Sequence, residues 1–310
     1  YGMRIMFCIS VNFEEDILQN EYFFKDQTFH CINAKEAGMK SYIKDDSIVF
    51  DGVDNLNIAL TLDCGQAFRW AQKPNGAWHG VAEKRAVDII QDGDKITVIG
   101  DTDENFWQTY FDLDRDYGAI CKKLETDSQL RRAISEYGGI RILRQNTWEA
   151  LCSFIISQNN NIPRIKGIIE RLCATFGDDL GNGDFSFPTA EVLAKCNVDD
   201  LAPLRSGFRA KYIIDAAQKV AGGEVNLHML ATEDMDICRS ELIKIKGVGA
   251  KVAECTLLYG CGRIEAFPVD VWVKRIMAEM YPDGLPECTS GVEGIAQQFL
   301  FHWRRNTEII

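Results

Sequence analysis

The sequence predicts an α+β fold: an N-terminal antiparallel β-sheet domain over residues 46–118, then a mainly α-helical core over residues 119–310. Three observations predict it. Between Ser47 and Gly100, short β-branched or aromatic runs are separated by Gly, Asn and Asp. From Asp103 onward the apolar residues fall at helical spacing. Near the C-terminal end, two helices flank Lys246-Gly247-Val248-Gly249, a turn that only glycines make so tightly.

Taken in order, residues 1–45 are an N-terminal extension to which the pattern assigns no function; Phe23, Phe24 and Phe29 are its main apolar content. Ile5 to Val11 are apolar, but acids follow at Glu14 to Asp16, so no secretory signal is expected. Strands are expected at 47–50, 56–60, 67–70, 78–82, 86–90 and 95–99. Asn146 or Thr147 caps a helix running to about Gln158. Asn159-Asn160-Asn161 reads as a turn, with Pro163 opening the next helix. A helix over roughly 213–230, shading into a connector, leads to the glycine hairpin and its two helices at 234–260. Asp270 caps a third helix, and a final helix runs from Val292 to about Arg305.

Composition narrows the function. The 310 residues are 46% hydrophobic, and no apolar run reaches membrane-spanning length. Eleven scattered cysteines contain no CxxC pair, which points to reduced thiols rather than zinc. The net charge of −12 opposes nucleic-acid binding at first sight, but residues 91–130 and 178–200 together carry −11 of it. The window 242–276 holds six bases and three acids. Contacts are set by such local charge, while global charge sets solubility and steering.

That window also carries the chemistry. The free N–H groups opening the helix after Gly247 and Gly249 suit an anion such as a phosphate, although a plain helix corner would use the same glycines. Lys251 lies in the first turn of that helix, where the dipole disfavours a charged amine and favours a nucleophilic one. Asp270 serves equally as an ordinary N-cap or as a carboxylate that stabilises a developing cation.

With Lys251 placed nineteen residues before Asp270, GVGAKVAEC and PVD resemble the helix-hairpin-helix–GPD superfamily, and within it the 8-oxoguanine DNA glycosylase/AP lyases. Further segments match in order: Cys64-Gly-Gln-Ala-Phe-Arg-Trp, Asn159-Asn-Asn-Ile-Pro-Arg164, Ser206-Gly-Phe-Arg and Gly294-Ile-Ala-Gln-Gln-Phe-Leu-Phe301. The resemblance covers roughly residues 46–305. It implies a glycosylase core in the helical half, with Lys251 and Asp270 as the catalytic pair. It implies a base pocket made of the Gly65 carbonyl, Cys255, Gln297 and Phe301. Asn159 would fill the gap left by the flipped base, Arg164 and Arg209 would read the orphaned cytosine, Phe208 would wedge between bases, and Gly247 and Gly249 would meet a phosphate.

The reaction so implied is excision of 8-oxoguanine from duplex DNA through a lysine Schiff base, followed by β-elimination, with cytosine preferred opposite the lesion. No redox cofactor is required and no iron–sulfur cluster is expected, since only Cys288 follows Cys261. A structural cation at hairpin carbonyls near Ile243, Ile245 and Val248 is implied. The expected partner is double-stranded DNA containing 8-oxoguanine, with no membrane and a monomeric enzyme. Phe208 and Trp272 replace a tyrosine and a histidine common in eukaryotic members, which favours a bacterial, cytoplasmic protein; a eukaryotic one would be nuclear. The alternatives are a glycosylase for another damaged purine and a non-catalytic DNA-binding protein. Lys251 argues against the first, and Lys251, Asp270 and Gln297 together argue against the second.

Overall fold

The computed structural model describes residues 38–307, so most of the N-terminal extension, including Phe23, Phe24 and Phe29, lies outside the described residues. Six antiparallel strands form the first layer: β1 (Lys40–Lys44), β2 (Ser47–Asp51), β3 (Trp70–Gln72), β4 (Trp78–Ala82), β5 (Arg85–Asp92) and β6 (Lys95–Ile99), in the order β1-β2-β6-β5-β4-β3. Register follows the buried face. Ile48 pairs Val98, Phe50 pairs Ile96 and Ile89 pairs Val98, and all five are fully buried. One-residue slips would turn this face to solvent. Gly80 pairs Trp70 across the edge; a Cβ there would come within 2.3 Å of the indole, so the glycine admits the tryptophan.

Two expected strands change. Residues 56–60 are not extended, because Asn57 caps a helix, α1 (Ile58–Asp63), accepting the Leu60 N–H at 3.0 Å. Ile58 and Leu62, four apart, then share one buried face. Of residues 67–70 only Trp70 is in a strand. The sheet also begins earlier than residue 46, with β1.

Helix α2 (Glu104–Tyr110) closes the sheet's apolar side with Trp107, Tyr110 and, just beyond it, Phe111. The helical half then runs through α3 (Tyr117–Leu124), α4 (Ser128–Tyr137), α5 (Thr147–Ser157) and α6 (Ile162–Phe176). A short hairpin, β7 (Asp179–Gly181) with β8 (Asp184–Phe185), precedes α7 (Ala190–Ala194) and α8 (Ala210–Ala221). The chain closes with α9 (Met235–Ile243), α10 (Ala250–Cys261), α11 (Val271–Met280) and α12 (Glu293–Thr307).

Helices α5 and α10 are buried on nearly every side, from Trp148 to Ile156 and from Val252 to Tyr259. A helix apolar all round belongs at the centre of a core. The two cross closely: a Cβ on Gly260 would sit 3.0 Å from Ala150 Cβ. Gly294 does the same for α12, since a side chain there would reach within 2.5 Å of Leu258 and 2.6 Å of the Ala266 carbonyl. Thus α5, α10 and α12 meet at one place. Gln66, fully buried, joins the halves: its amide donates to the Thr61 and Arg141 carbonyls and accepts the Leu143 N–H. No helix of the described residues is long and apolar enough to cross a membrane.

Candidate active site

Lys251 occupies the first turn of α10, two residues after Gly249, the N-cap, which offers no capping side chain. Its amine donates to Ser157 Oγ at 3.0 Å and lies 5.0 Å above the Phe154 ring. Both partners come from α5, so the central helix crossing fixes where the amine sits. One turn along, the Cys255 thiol is 2% exposed, and burial pushes it up to about 11, so it is neutral at physiological pH. Lys251 and Asp270 both lie close enough to act on that thiol, the amine lowering its value and the carboxylate raising it. Lys251 and Cys255 are thus one turn apart on α10, and the Asp270 charge reaches the same thiol.

Asp270 caps α11, its Oδ1 accepting the Val273 N–H at 2.8 Å. What holds the segment before it is Glu254, a carboxylate inside the apolar α10. Glu254 Oε1 accepts from Arg239 on α9 at 2.6 Å, and Oε2 accepts the Phe267 N–H at 2.7 Å. One buried carboxylate thus ties the first hairpin helix to the strap that presents Asp270. Sequence reading passed over Glu254. Its signal was a lone acid among apolar helix residues, which must be paired to be stable.

Across the site, Gln297 and Phe301 lie one turn apart on α12. Gln297 is 4% exposed, and its Oε1 has no hydrogen-bond partner. Gly65 approaches the same helix with φ at +90°; a methyl there would lie 3.8 Å from Phe301 Cε1. Gln298 sets this approach, donating to the Cys64 carbonyl at 3.2 Å and accepting from Tyr259 OH at 2.5 Å. Tyr259 in turn stacks on Phe154, the ring beneath Lys251. A continuous chain of contacts therefore links the lysine to the glycine loop, through Ser157, Phe154, Tyr259 and Gln298, none of which sequence reading singled out.

The remaining candidates, Arg209 apart, are exposed. Asn159 is exposed with φ at +47°, and Asn161 caps α6 by accepting the Arg164 N–H at 3.0 Å. Arg164 is exposed, 3.5 Å from the Arg205 carbonyl. Phe208 is 47% exposed and meets Tyr212 edge-on. Tyr212 in turn packs where a Gly247 side chain would be, within 2.4 Å of an added Cβ, and Gly247 has φ at +80°. Gly249, by contrast, faces open space. Arg209 is placed differently from these. It is 2% exposed and donates to the carbonyls of Gln158, Asn159 and Ser206, so in this arrangement it braces the asparagine turn. Trp272 carries Arg275 against its ring at 5.3 Å.

Comparison with known proteins places the chain in a family. The family model for the 8-oxoguanine DNA glycosylase N-terminal domain matches residues 48–151, and that for HhH-GPD superfamily base excision DNA repair proteins matches residues 152–284. An N-glycosylase/DNA lyase of Saccharomyces cerevisiae is 34% identical over 257 residues, covering 73% of this chain and 68% of the yeast protein. Among solved structures, MBOgg1 in complex with a low affinity DNA ligand is 40% identical, with a TM-score of 0.82 over 88% of this chain and 100% of that one. The Clostridium acetobutylicum 8-oxoguanine glycosylase/lyase, bound to double-stranded DNA containing cytosine opposite 8-oxoG, is 36% identical. Its TM-score is 0.81 over 88% of this chain and 99% of that one. The chain belongs to the 8-oxoguanine DNA glycosylase family of the HhH-GPD superfamily of base excision DNA repair proteins.

Proposed function

We propose that this chain excises 8-oxoguanine from duplex DNA and nicks the strand, with Lys251 as nucleophile and Asp270 as its charged partner. The observation that carries the assignment is the Lys251 amine, held on Ser157 Oγ at the mouth of α10, beside Cys255 and Asp270. A base inside a duplex is out of reach, so it is flipped into the site. The lysine lone pair attacks C1′ while the N9–C1′ bond breaks, and that bond's electrons leave with the base, which takes up a proton. The attached amine loses a proton and the sugar ring opens to a Schiff base. Loss of a C2′ proton then expels the 3′ phosphate. Asp270 opposes the positive charge that develops on the sugar.

In this reading the flipped base lies between Phe301 and Cys255. Gln297 Oε1, buried without a partner, accepts from the Watson–Crick edge, and the Gly65 carbonyl accepts from N7–H. Asn159 and Arg164 face the orphaned base with several hydrogen-bonding groups each, which supports a preference for cytosine there. Arg209 supports them from below and contributes to that preference through the turn it braces. Phe208 is the exposed wedge, and Gly247 and Gly249 take a phosphate at the start of α10. A structural cation at the carbonyls of Ile243, Ile245 and Val248, which run from the end of α9 into the glycine turn, would assist that phosphate contact. The enzyme is read as a DNA-associated monomer, cytoplasmic in a bacterium.

The test uses duplex DNA with one 8-oxoguanine opposite cytosine, incubated with the wild type and with Lys251→Gln. Excision and borohydride trapping by the wild type, both lost in the variant, are expected. A folded wild type that cuts a different lesion, or that binds DNA without forming an adduct, would overturn the assignment. Repeating the excision opposite each of the four bases tests the cytosine preference, which equal rates would refute.

A further inference from the structure

Arg305 extends the pocket stripe of α12 by one more turn. Gln297, Phe301 and Arg305 follow at intervals of four, so all three present one face. Helical side chains lean towards the N-terminus, which carries the Arg305 guanidinium back over Phe301. Its carbon lies 5.9 Å from that ring's centre. A methyl on Gly65 would come 3.6 Å from Arg305 Nη1, so the guanidinium also borders the glycine loop.

A basic residue in the last turn of a helix is usually explained by the helix dipole. Arg304 fits that account and pairs with Glu279 at 2.6 Å. Arg305 shares that position but not such a partner. Among the described residues no carboxylate lies in ion-pair range of Arg305, and its Nη1 is buried with no hydrogen-bond partner. A buried donor left unpaired costs free energy, and the site lacks the acceptor that would satisfy it.

The pocket thus holds two unsatisfied groups of opposite kind on one helix face. Gln297 offers an acceptor at one end and Arg305 a donor at the other, with the Phe301 ring between them. We propose that Arg305 is a further base-binding residue, whose Nη1 donates to the exocyclic oxygen at C8 of the flipped purine, beside the Gly65 carbonyl. The inference rests on the reading of the site as an 8-oxoguanine pocket. Oxidation changes the imidazole edge at two atoms: N7 gains a hydrogen and C8 gains an oxygen. The Gly65 carbonyl answers the first change and Arg305 the second. Guanine would set C8–H against the Arg305 donor and leave it unpaired.

The test compares Arg305→Met and Arg305→Lys with the wild type on two duplexes, one with 8-oxoguanine and one with an abasic site, each opposite cytosine. Single-turnover rates and borohydride trapping are measured on both. Arg305→Met is expected to slow excision of 8-oxoguanine about ten- to hundredfold, with abasic-site cleavage unchanged, and Arg305→Lys to recover part of the loss. Equal losses on both duplexes would overturn the proposal, since they place Arg305 on the DNA backbone or in the fold. Unchanged excision by Arg305→Met would overturn it too. If the wild type itself leaves 8-oxoguanine uncut but cleaves the abasic site, the substrate reading fails first and the Arg305 contact to C8 oxygen falls with it.

Discussion

Helices α10 and α12 line opposite sides of one site, and their polar groups are treated in opposite ways. On α10, Lys251 rests on Ser157, Glu254 is paired through both oxygens, and the Tyr259 hydroxyl donates to Gln298. On α12, Gln297 Oε1, His302 Nδ1, Trp303 Nε1 and Arg305 Nη1 are buried without partners. On the proposed reading, the first helix carries the nucleophile, which must be aimed before the reaction starts because reacting atoms tolerate little misplacement. On the same reading, the partner of Gln297 on the second helix arrives with the base. Each unpaired buried group costs about 1–3 kcal/mol in the free protein. Binding can recover such a cost where the ligand supplies the missing partner.

The largest expected effect tests the pre-aimed side. Asparagine caps a helix as well as aspartate does. Asp270→Asn therefore keeps the bond to Val273 N–H and removes only the charge. The excision rate should fall by about 10²–10³-fold, as for loss of one preorganised electrostatic contact, with the melting temperature nearly unchanged. An Asn variant as active as the wild type would make Asp270 a cap and nothing more.

That ambiguity shows where the sequence was legible. Lys251 and Asp270 stood out because each sits at a helix start, and helix starts are visible in sequence. Strands β2, β4, β5 and β6 stood out through β-branched runs between Gly and Asp. Strand β1 did not, because KSYIK is short and polar at both ends. Residues 56–60 misled for a local reason: an Asn cap outweighs a brief alternation of apolar residues. Ser157 is 94 residues from the lysine it receives, and nothing in local spacing reports such a pairing. Arg209 looked like its neighbour Arg164. Only the tertiary packing separates them, burying Arg209 against the asparagine-turn carbonyls and leaving Arg164 exposed.

His302 gives the next effect, through pH. Burial first, then the Arg305 charge, pushes it down to about 4. The unfolded chain takes up a proton near 6.5, while the folded one does so only near 4. Between those values the unfolded state binds more protons, so stability rises with pH and is complete above the unfolded value. Acidification through this window should cost up to about 3 kcal/mol from this residue. His302→Phe keeps the edge-on packing against Tyr137 and cannot take up a proton. Subtracting its denaturation profile from that of the wild type should isolate the acid limb, and parallel profiles between pH 4 and 6.5 would remove His302 as its source.

The smallest effect is the sharpest test of the contrast, because its sign is unusual. Gln297→Met replaces an unsatisfied buried amide by an apolar side chain of similar length. If the unpaired Oε1 is a cost held for the substrate, its removal should stabilise the free protein by about 1 kcal/mol. For a chain of this size that raises the melting temperature by roughly 1–2 °C. Excision of 8-oxoguanine should fall sharply in the same variant, since the Watson–Crick edge then meets no acceptor. Stability gained with activity lost is the mark of a group kept for function rather than for the fold. A drop in both would show instead that Gln297 contributes to packing. The unpaired Oε1 would then not be a cost held for the substrate, and the difference between the two helices would have to be sought elsewhere than in their unpaired atoms.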